Sequence, residues 1–393
     1  MTVITGIGRL FTAGPQGTLD DAAVAIEGDR ITWVGPAAHA PGDPDVVDLG
    51  GCLLTPGLVD AHTHPVYARP RSAEVARRSA GVPYAQVAAE GGGIRSTVRS
   101  TRAAHVGDLE AATARRQATW LRAGTTTDEA KTGYHLNLQG EEAAVRLLRR
   151  VSGRPGVPRI AVTFLAAHAV PPEWEREQYH YAAEAAGWAG EAAAAGARFV
   201  DVFCDEGAFT VEEARRVVTE GAAAGLVPRV HADELARTGG SLLAAEVGAA
   251  SADHLLRATA EDAAALAAAG VTAVLCPGTA LSLGATPPAR TLADAGVHLA
   301  LGSDHNPGTS GITSMSLVVA LAVAVFGLSV DEALTAATAG GARSLRASDR
   351  GVVEPGRLAD LVAWDADHEG AFAWAFGLRP SRVWLGGEEV EPA

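Results

Sequence analysis

The central part of the chain alternates short apolar segments with long helical stretches rich in Ala, Glu and Arg. This alternation is typical of parallel βαβ units, in which helices cover a buried sheet. Helical stretches such as Glu212–Ala224 and Ala260–Ala269 have the length of crossover helices. The predicted strands are Leu58–His64, Thr125–Ala130, Ile160–Ala167, Phe199–Asp205, Val227–Ala232, Ser251–Leu255, Thr272–Cys276 and Leu299–Ser303. Eight strands followed by helices indicate an α/β fold of the (β/α)8 TIM-barrel type.

The two ends of the chain carry a different pattern, with short alternating runs and no long helix. Ala22–Glu27 and Arg30–Gly35 flank a Gly-Asp turn and predict a hairpin. Arg357–Asp365 and Arg382–Val390 again predict short strands, the second run containing a Gly-Gly turn. We therefore expect the two ends to combine into one small β-sandwich domain beside the barrel. The expected boundaries are residues 1–55 and 346–393 for the small domain and 56–345 for the barrel.

Composition and charge narrow the class of protein. A length of 393 residues suits one barrel with a small appendage, and 48% hydrophobic with 20% charged residues is ordinary globular composition. A net charge of −14 without a basic cluster argues against nucleic acid as a partner. The N-terminus has no basic leader followed by an apolar run, and no apolar run approaches the roughly 20 residues that span a bilayer.

These features predict a cytoplasmic protein that acts on a small molecule and has no membrane partner. A homodimer is compatible with the β-rich ends and the Ala-rich helices, but no sequence feature requires one. Cys52, Cys204 and Cys276 are isolated from one another, so we expect small buried residues rather than a disulfide or a thiolate zinc site.

The candidate functional residues lie at the C-terminal ends of the predicted strands. In a TIM barrel these ends form the face that carries the active site. His62 and His64 are two residues apart, so on a strand they point the same way and can present two imidazoles to one metal. Such nitrogen and oxygen ligands suit zinc or iron. The further candidates at strand ends are Glu129, Lys131, His168, His231, Glu234, His254 and Asp304.

The end of the fourth predicted strand bears on the number of metals. Binuclear sites on barrels of this kind use a carboxylated lysine there, whereas this strand ends Cys204-Asp205-Glu206. One divalent metal per chain is therefore expected, with Asp205 or Glu206 left open as a ligand. Lys131, on the second strand, is the only lysine in the chain. It is either a remnant of a drift toward Arg codons or a position that needs an ammonium rather than a guanidinium.

Longer motifs carry a family resemblance through nearly the whole barrel. They are PGLVDAHTHPVYARPRSAE, YAQVAAEGGGIRSTVRSTR, AGTTTDEAKTGYHL, TFLAAHAVP, DVFCDEGAF, HADE, SADHL and SDHNPGTSGITSM. With these segments the chain resembles the imidazolonepropionases of the amidohydrolase superfamily. These enzymes hydrolyse the lactam bond of 4-imidazolone-5-propionate to N-formimidoyl-L-glutamate, the third step of histidine degradation.

The resemblance implies roles for individual residues. The implied metal ligands are His62, His64, His231 and Asp304. The implied substrate or product site consists of Arg71, Tyr84, Tyr134, His168, Glu234, Asn306, Gly308 and Thr309. The residue types agree with this, since a propionate tail needs a cation and hydroxyl donors, which Arg71 and Tyr134 supply.

The expected reaction is attack of a metal-activated water on the ring carbonyl. Asp304 and Glu234 are the candidates to accept the water proton and pass it to the departing nitrogen, and which carboxylate does which step stays open. His254 or His168 would stabilise the oxyanion. An alternative for Glu234 is a carboxylate at a helix start, satisfied by backbone amides.

Several positions depart from the family pattern, and none of them is a predicted metal ligand. They are His135 in place of Gly, Pro65 in place of an aliphatic residue, Leu256-Arg257 in place of Glu-His, and the variable His305 and Gly311. They leave room for an altered ring substrate.

Two other classes of function compete with this interpretation. A related deaminase, or a hydrolase of another cyclic amide, would use the same metal set on a different small heterocycle, and a deaminase would not need Arg71 for a carboxylate. A non-catalytic barrel would be free to lose metal ligands, yet His62, His64, His231 and Asp304 are all present.

Overall fold

The computed structural model describes residues 1–42, 45–82, 86–87 and 90–390, and they form two sheets with surrounding helices. The strands are β1 Thr2–Phe11, β2 Thr18–Glu27, β3 Arg30–Pro36, β4 Val46–Pro56, β5 Leu58–Thr63, β6 Thr125–Lys131, β7 Arg159–Ala167, β8 Phe199–Cys204, β9 Val227–Ala232, β10 Ser251–His254, β11 Thr272–Leu275, β12 Leu299–Leu301, β13 Leu361–Trp364, β14 Pro380–Leu385 and β15 Glu388–Glu389. The helices are α1 Ser72–Ser79, α2 Ile94–Arg102, α3 Val106–Arg122, α4 Leu138–Ser152, α5 Gln178–Gly187, α6 Ala189–Ala195, α7 Val211–Ala223, α8 Gly240–Glu246, α9 Ala260–Ala269, α10 Pro277–Leu283, α11 Ala289–Asp294, α12 Met315–Phe326, α13 Val330–Thr335, α14 Gly341–Ser344 and α15 Ala371–Trp374.

Strands β5 to β12 form an eight-stranded parallel sheet in sequential order. Its two edges meet, because Thr63 pairs with His305 and the His64 amide donates to the His305 carbonyl at 2.8 Å. The Asp304 amide also donates to the His62 carbonyl at 2.9 Å. The predicted TIM barrel is thus confirmed, and each of the predicted strands overlaps an observed one.

Some helices around the barrel strands begin at capping residues or end at glycines, as two examples show. Helix α7 begins at a capping box, in which Thr210 and Glu213 satisfy each other's backbone amides. Helix α9 ends at Gly270, whose φ of +66° suits glycine as a helix terminator. These helices pack their apolar faces on the strands and so leave the strand ends free to carry a site.

The chain termini build the second sheet, in the order β15-β14-β13-β4-β1-β2-β3. The predicted N-terminal hairpin is present, since Glu27 pairs with Arg30 across β2 and β3. One face of the sheet has its own apolar core, and the other face joins the barrel core through residues such as Leu53 and Trp364. Both ends of the chain combine as predicted, and the strands expected to form a β-sandwich make one continuous hydrogen-bonded sheet.

Cys204 and Cys276 are buried as predicted, whereas Cys52 on β4 is only half-buried.

Among the described residues, the structure contains no helix with the length and apolar composition needed to span a membrane.

Candidate metal and substrate site

A cavity of about 250 Å3 opens at the C-terminal ends of the barrel strands. Its walls combine imidazoles, carboxylates and one guanidinium. The sequence-predicted residues that line it are His64, Arg71, Tyr134, His168, His231, Glu234, His254, Asp304, Asn306 and Thr309. His62 is fully buried beside them, Gly308 lies against Arg71, and Tyr84 lies outside the described residues.

Histidine and aspartate side chains converge at the floor of this cavity. His62 Nε2 lies 3.2 Å from His64 Nε2 and 3.6 Å from Asp304 Oδ1, and His64 Nε2 lies 3.4 Å from the same oxygen. These three residues form a group whose ligand atoms lie within 4.8 Å of one another, and His62, His231 and His254 form a second such group. His62 is common to both groups, so the five side chains surround one small volume.

The ring nitrogens of the group leave lone pairs available to a metal. His62 Nδ1 lies 2.7 Å from Asp253 Oδ2. A carboxylate only accepts, so Nδ1 carries the hydrogen and Nε2 keeps a lone pair. His231 Nδ1 lies 3.0 Å from Asp201 Oδ2, which is within ion-pair distance, and no described residue hydrogen-bonds to either ring nitrogen of His231 or to His64 Nδ1. Buried nitrogens without partners are rare, so the donor set fits a bound metal.

Burial keeps four imidazoles of the site neutral, those of His62, His64, His168 and His254. It lowers the pKa of His62 and His64 well below the ordinary value, and it lowers the pKa of His168 and His254 to about 3. His168 Nδ1 lies 3.0 Å from the Gly133 carbonyl, so this nitrogen donates its hydrogen there. The Nε2 of a neutral His168 is therefore a hydrogen-bond acceptor.

The loop after β12 holds Asp304 in place. The Thr279 hydroxyl donates to the Asp304 carboxylate, and Asn306 Nδ2 donates to the Asp304 carbonyl at 2.7 Å. Asn306 Oδ1 accepts from the amides of Gly308 and Thr309, both at 2.8 Å. Thr279, which lies on α10 after β11, was not predicted as a site residue, because no motif or periodicity in the chain singles it out.

Glu234 does not occupy the helix-start role considered for it. The amides of residues 234–236 donate to the Asp205 carboxylate at 2.6, 2.9 and 3.0 Å. The Glu234 carboxylate instead lines the cavity, 3.7 Å from His254 Nδ1, and burial raises its pKa well above the ordinary value. Asp205 thus organises the loop, Glu206 is exposed, and neither belongs to a candidate metal group of the described residues.

Arg71 enters the cavity from the loop before α1. Its Nη1 donates to Thr97 Oγ1 at 2.7 Å, and its Nε lies 3.3 Å from Glu74 Oε2, which also accepts from the Gly93 amide at 3.0 Å. Its Nη2 lies so close to Gly308 that a Cβ there would be 1.6 Å away. The GGGIRSTV motif and Gly308 therefore orient one guanidinium and leave its Nη2 without a hydrogen-bond partner in the described structure.

Apolar side chains complete the cavity wall and were not among the predicted site residues. They are Ile94, Phe203, Leu235 and Leu283. Hydrophobic periodicity identifies such positions as apolar, but it does not tell which of them face a cavity.

The positions that depart from the family pattern lie outside the described lining of the cavity. His135 packs its side chain against Gly140, and His305 Nε2 lies 2.9 Å from the Tyr67 hydroxyl. Arg257 Nε donates to the Leu235 carbonyl at 3.2 Å. These residues support the walls rather than form them.

The barrel, its strand-end cavity and the histidine–aspartate group define a hydrolase of the metal-dependent barrel class. The chain belongs to the amidohydrolase family, whose model matches residues 53–390. Within that family it belongs with the imidazolonepropionases. It is 42% identical over 398 residues to the imidazolonepropionase of Streptomyces griseus subsp. griseus, covering 99% of both chains. It is 43% identical to that of Rhodococcus jostii, covering 98% of this chain and 94% of the relative.

Solved structures share the fold at lower identity. An adenosine deaminase from Xanthomonas campestris with bound zinc is 23% identical, with a TM-score of 0.76 over 99% of this chain and 92% of its own. A Xaa-Pro dipeptidase is 18% identical, with a TM-score of 0.74 over 99% of both chains. At these identities the likeness concerns the fold alone.

Proposed function

We infer that the chain hydrolyses the lactam C–N bond of 4-imidazolone-5-propionate to N-formimidoyl-L-glutamate in histidine degradation. Its membership of the imidazolonepropionases supports this activity. The observation that carries it is the placement of His64, Asp304 and Arg71 around one cavity of about 250 Å3. Such a cavity offers a metal group for the ring and a cation for the propionate tail.

We propose that His62, His64, His231 and Asp304 hold one divalent metal, either zinc or iron. The unpartnered Nε2 of His231 and the convergence of His62 Nε2, His64 Nε2 and Asp304 Oδ1 support these ligands. The absence of any lysine other than Lys131 supports a single metal. When bound, the metal supplies a Lewis acid that polarises the ring carbonyl and lowers the pKa of a water molecule. His254 then faces the substrate rather than serving as a ligand.

Arg71 and Tyr134 bind the propionate tail in this proposal. The free Nη2 of Arg71 gives a charge-assisted hydrogen bond to the carboxylate, and the Tyr134 hydroxyl adds a neutral one. His168 accepts a ring N–H at its Nε2, because its Nδ1 hydrogen is used by Gly133. The loop of Asn306, Gly308 and Thr309 closes the same end of the cavity. Tyr84 remains a prediction.

Glu234 and Asp304 move the proton of the reaction. The water oxygen bonds to the ring carbonyl carbon, the ring C–N bond breaks, and the water proton passes to the departing nitrogen. Glu234 is the carboxylate suited to carry that proton, since it accepts no hydrogen bond within the described structure and faces the cavity. The oxyanion is stabilised by His254, because the Nδ1–H of His168 is engaged elsewhere.

An ultraviolet assay with freshly generated imidazolone propionate tests this activity. We expect turnover of that compound and none of guanine, cytosine or hydantoin supplied at the same concentrations. Faster deamination of guanine or cytosine would replace the lactamase assignment with a deaminase. Metal analysis by plasma mass spectrometry should give about one metal per chain, as proposed here; two per chain would contradict the single site.

We also propose the domain organisation, the localisation and the assembly of the enzyme. The barrel of residues 56–345 carries the catalytic site, and residues 1–55 and 346–393 form the accessory β domain. The enzyme works in the cytoplasm on a free small molecule, with a homodimer as its expected assembly. Size-exclusion chromatography with light scattering tests the dimer.

A further inference from the structure

A cluster of charged side chains fills the barrel directly beside the histidines of the site. All its members are 0% exposed, and we call the cluster the charged layer. It consists of Glu129, Lys131, Asp201, Arg229 and Asp253. Arg229 precedes His231 by two residues on β9, so both side chains point into the barrel, one level apart.

Lys131 lies at the centre of the charged layer. Its Nζ is 2.8 Å from Glu129 Oε1, 2.7 Å from Asp201 Oδ2 and 3.4 Å from Asp253 Oδ2. An ammonium has three N–H donors, one for each of these carboxylates. A bulkier planar guanidinium would not fit a fully buried space already bounded by Arg229. This geometry favours the interpretation that the only lysine of the chain stands where an ammonium is needed.

Two of these carboxylates also contact the proposed metal ligands. Asp253 Oδ2 lies 2.7 Å from His62 Nδ1, and Asp201 Oδ2 lies 3.0 Å from His231 Nδ1. Asp201 additionally accepts from the His231 backbone amide at 3.2 Å. The oxygen atoms that contact the imidazoles are the same ones that contact Lys131.

We propose that Lys131 is a positioning residue, whose ammonium fixes Asp201 and Asp253 and thereby orients His231 and His62 toward the metal. This inference rests on the proposed ligands His62 and His231. Partners of metal-bound histidines orient the ring and raise its basicity. Here Lys131 contacts the partners of two ligands that come from different strands, β5 and β9, and Arg229 is a second cation on Asp253 only.

The charge states of the layer agree with this role. Burial lowers the pKa of Lys131, but attraction by Asp201 and Glu129 outweighs it, and the net shift is upward. The ammonium is therefore charged near neutral pH and attracts the carboxylates that lie within 3.4 Å of it.

Metal affinity of the apoprotein tests the proposal without relying on turnover. Apoprotein is titrated with Co2+ against a chelator for the wild type, Lys131→Met and Lys131→Gln, and the visible d–d spectrum is recorded. We expect the dissociation constant to rise about 10- to 100-fold in both variants, the range for lost partners of metal ligands. The Co2+ spectrum should change, and the metal-induced rise in melting temperature should shrink.

Arg9→Met is the matched control. It removes a cation from the buried Glu369 carboxylate, far from the site, and should lower the melting temperature while leaving the Co2+ affinity and spectrum unchanged. Lys131→Gln keeps two donors and provides folded protein if Lys131→Met does not fold. A wild-type Co2+ affinity and spectrum in the folded variant would overturn the positioning role. A wild-type apoprotein that binds no Co2+ would instead overturn the proposed ligands themselves, and this inference with them.

Discussion

Two neighbouring groups inside the barrel are both buried and differ in how their charges are paired. In the charged layer, Lys131 and Arg229 lie within ion-pair distance of three carboxylates. In the cavity above it, no described residue hydrogen-bonds to His231 Nε2, and the Glu234 carboxylate lies 3.7 Å from the neutral His254 rather than beside a cation. A buried polar group without a partner costs free energy, and in a cavity it marks a place where a ligand can bind. The charge-paired layer therefore supports the site, and the cavity binds the ligand.

The largest expected effect is in the cavity. Asp304→Asn should lower kcat by about 10²- to 10⁴-fold, because the amide cannot accept a proton and is a poorer ligand. The measurement is steady-state kinetics with metal content determined on the same sample. A near-wild-type kcat with retained metal would show that Asp304 is misassigned.

Removing a cation from the charged layer should instead appear as a loss of stability. Arg229→Met leaves Asp253 and Glu129 with one cation fewer, and breaking a buried pair costs about 3–5 kcal/mol. Urea unfolding of the apoprotein measures the free energy of unfolding. If stability is unchanged, the charged layer is not a support and the contrast with the cavity is lost.

Arg71 falls between the two groups. Its Nη1 and Nε lie beside Thr97 and Glu74, whereas its Nη2 has no hydrogen-bond partner among the described residues. Arg71→Met should cost about 2–5 kcal/mol of transition-state binding, a fall in kcat/KM of about 30-fold or more, with the metal retained. Arg77→Met, on the helix α1 that follows Arg71, is the control, since its partner Glu90 lies at the surface. Unchanged kcat/KM in folded, metal-loaded Arg71→Met protein would remove the propionate assignment and reopen the deaminase alternative.

The smallest effect is expected for a charge pair in solvent. Arg215 and Glu246 pair at 2.8 Å with roughly half of each side chain exposed. Because water screens such pairs, Arg215→Ala should change the free energy of unfolding by less than about 1 kcal/mol, with kcat and metal content unchanged. A loss as large as that of Arg229→Met would mean that burial does not separate the two kinds of ion pair.

Local patterns in the sequence determined the order of the strands and helices and the face of the barrel that carries the candidate residues. The spacing of apolar runs predicted the barrel strands and the terminal hairpin, because each strand and helix imposes its own period on nearby residues. The His-Thr-His pair and the other strand-end residues were predictable for the same reason, since a parallel barrel brings all its strand ends to one face. The family motifs added Arg71 and the loop after β12.

Only the tertiary structure decided which hydrogen bonds and ion pairs these residues form. The sequence left open whether Glu234 acts in the site or is a helix-start carboxylate satisfied by backbone amides. The carboxylate that accepts those amides is Asp205, which directly follows β8. The sequence likewise left the role of Lys131 undecided, because the carboxylates around it come from β6, β8 and β10. Contacts between residues far apart in the chain leave no periodic signal, so charge pairing of this kind becomes visible only when the barrel has closed.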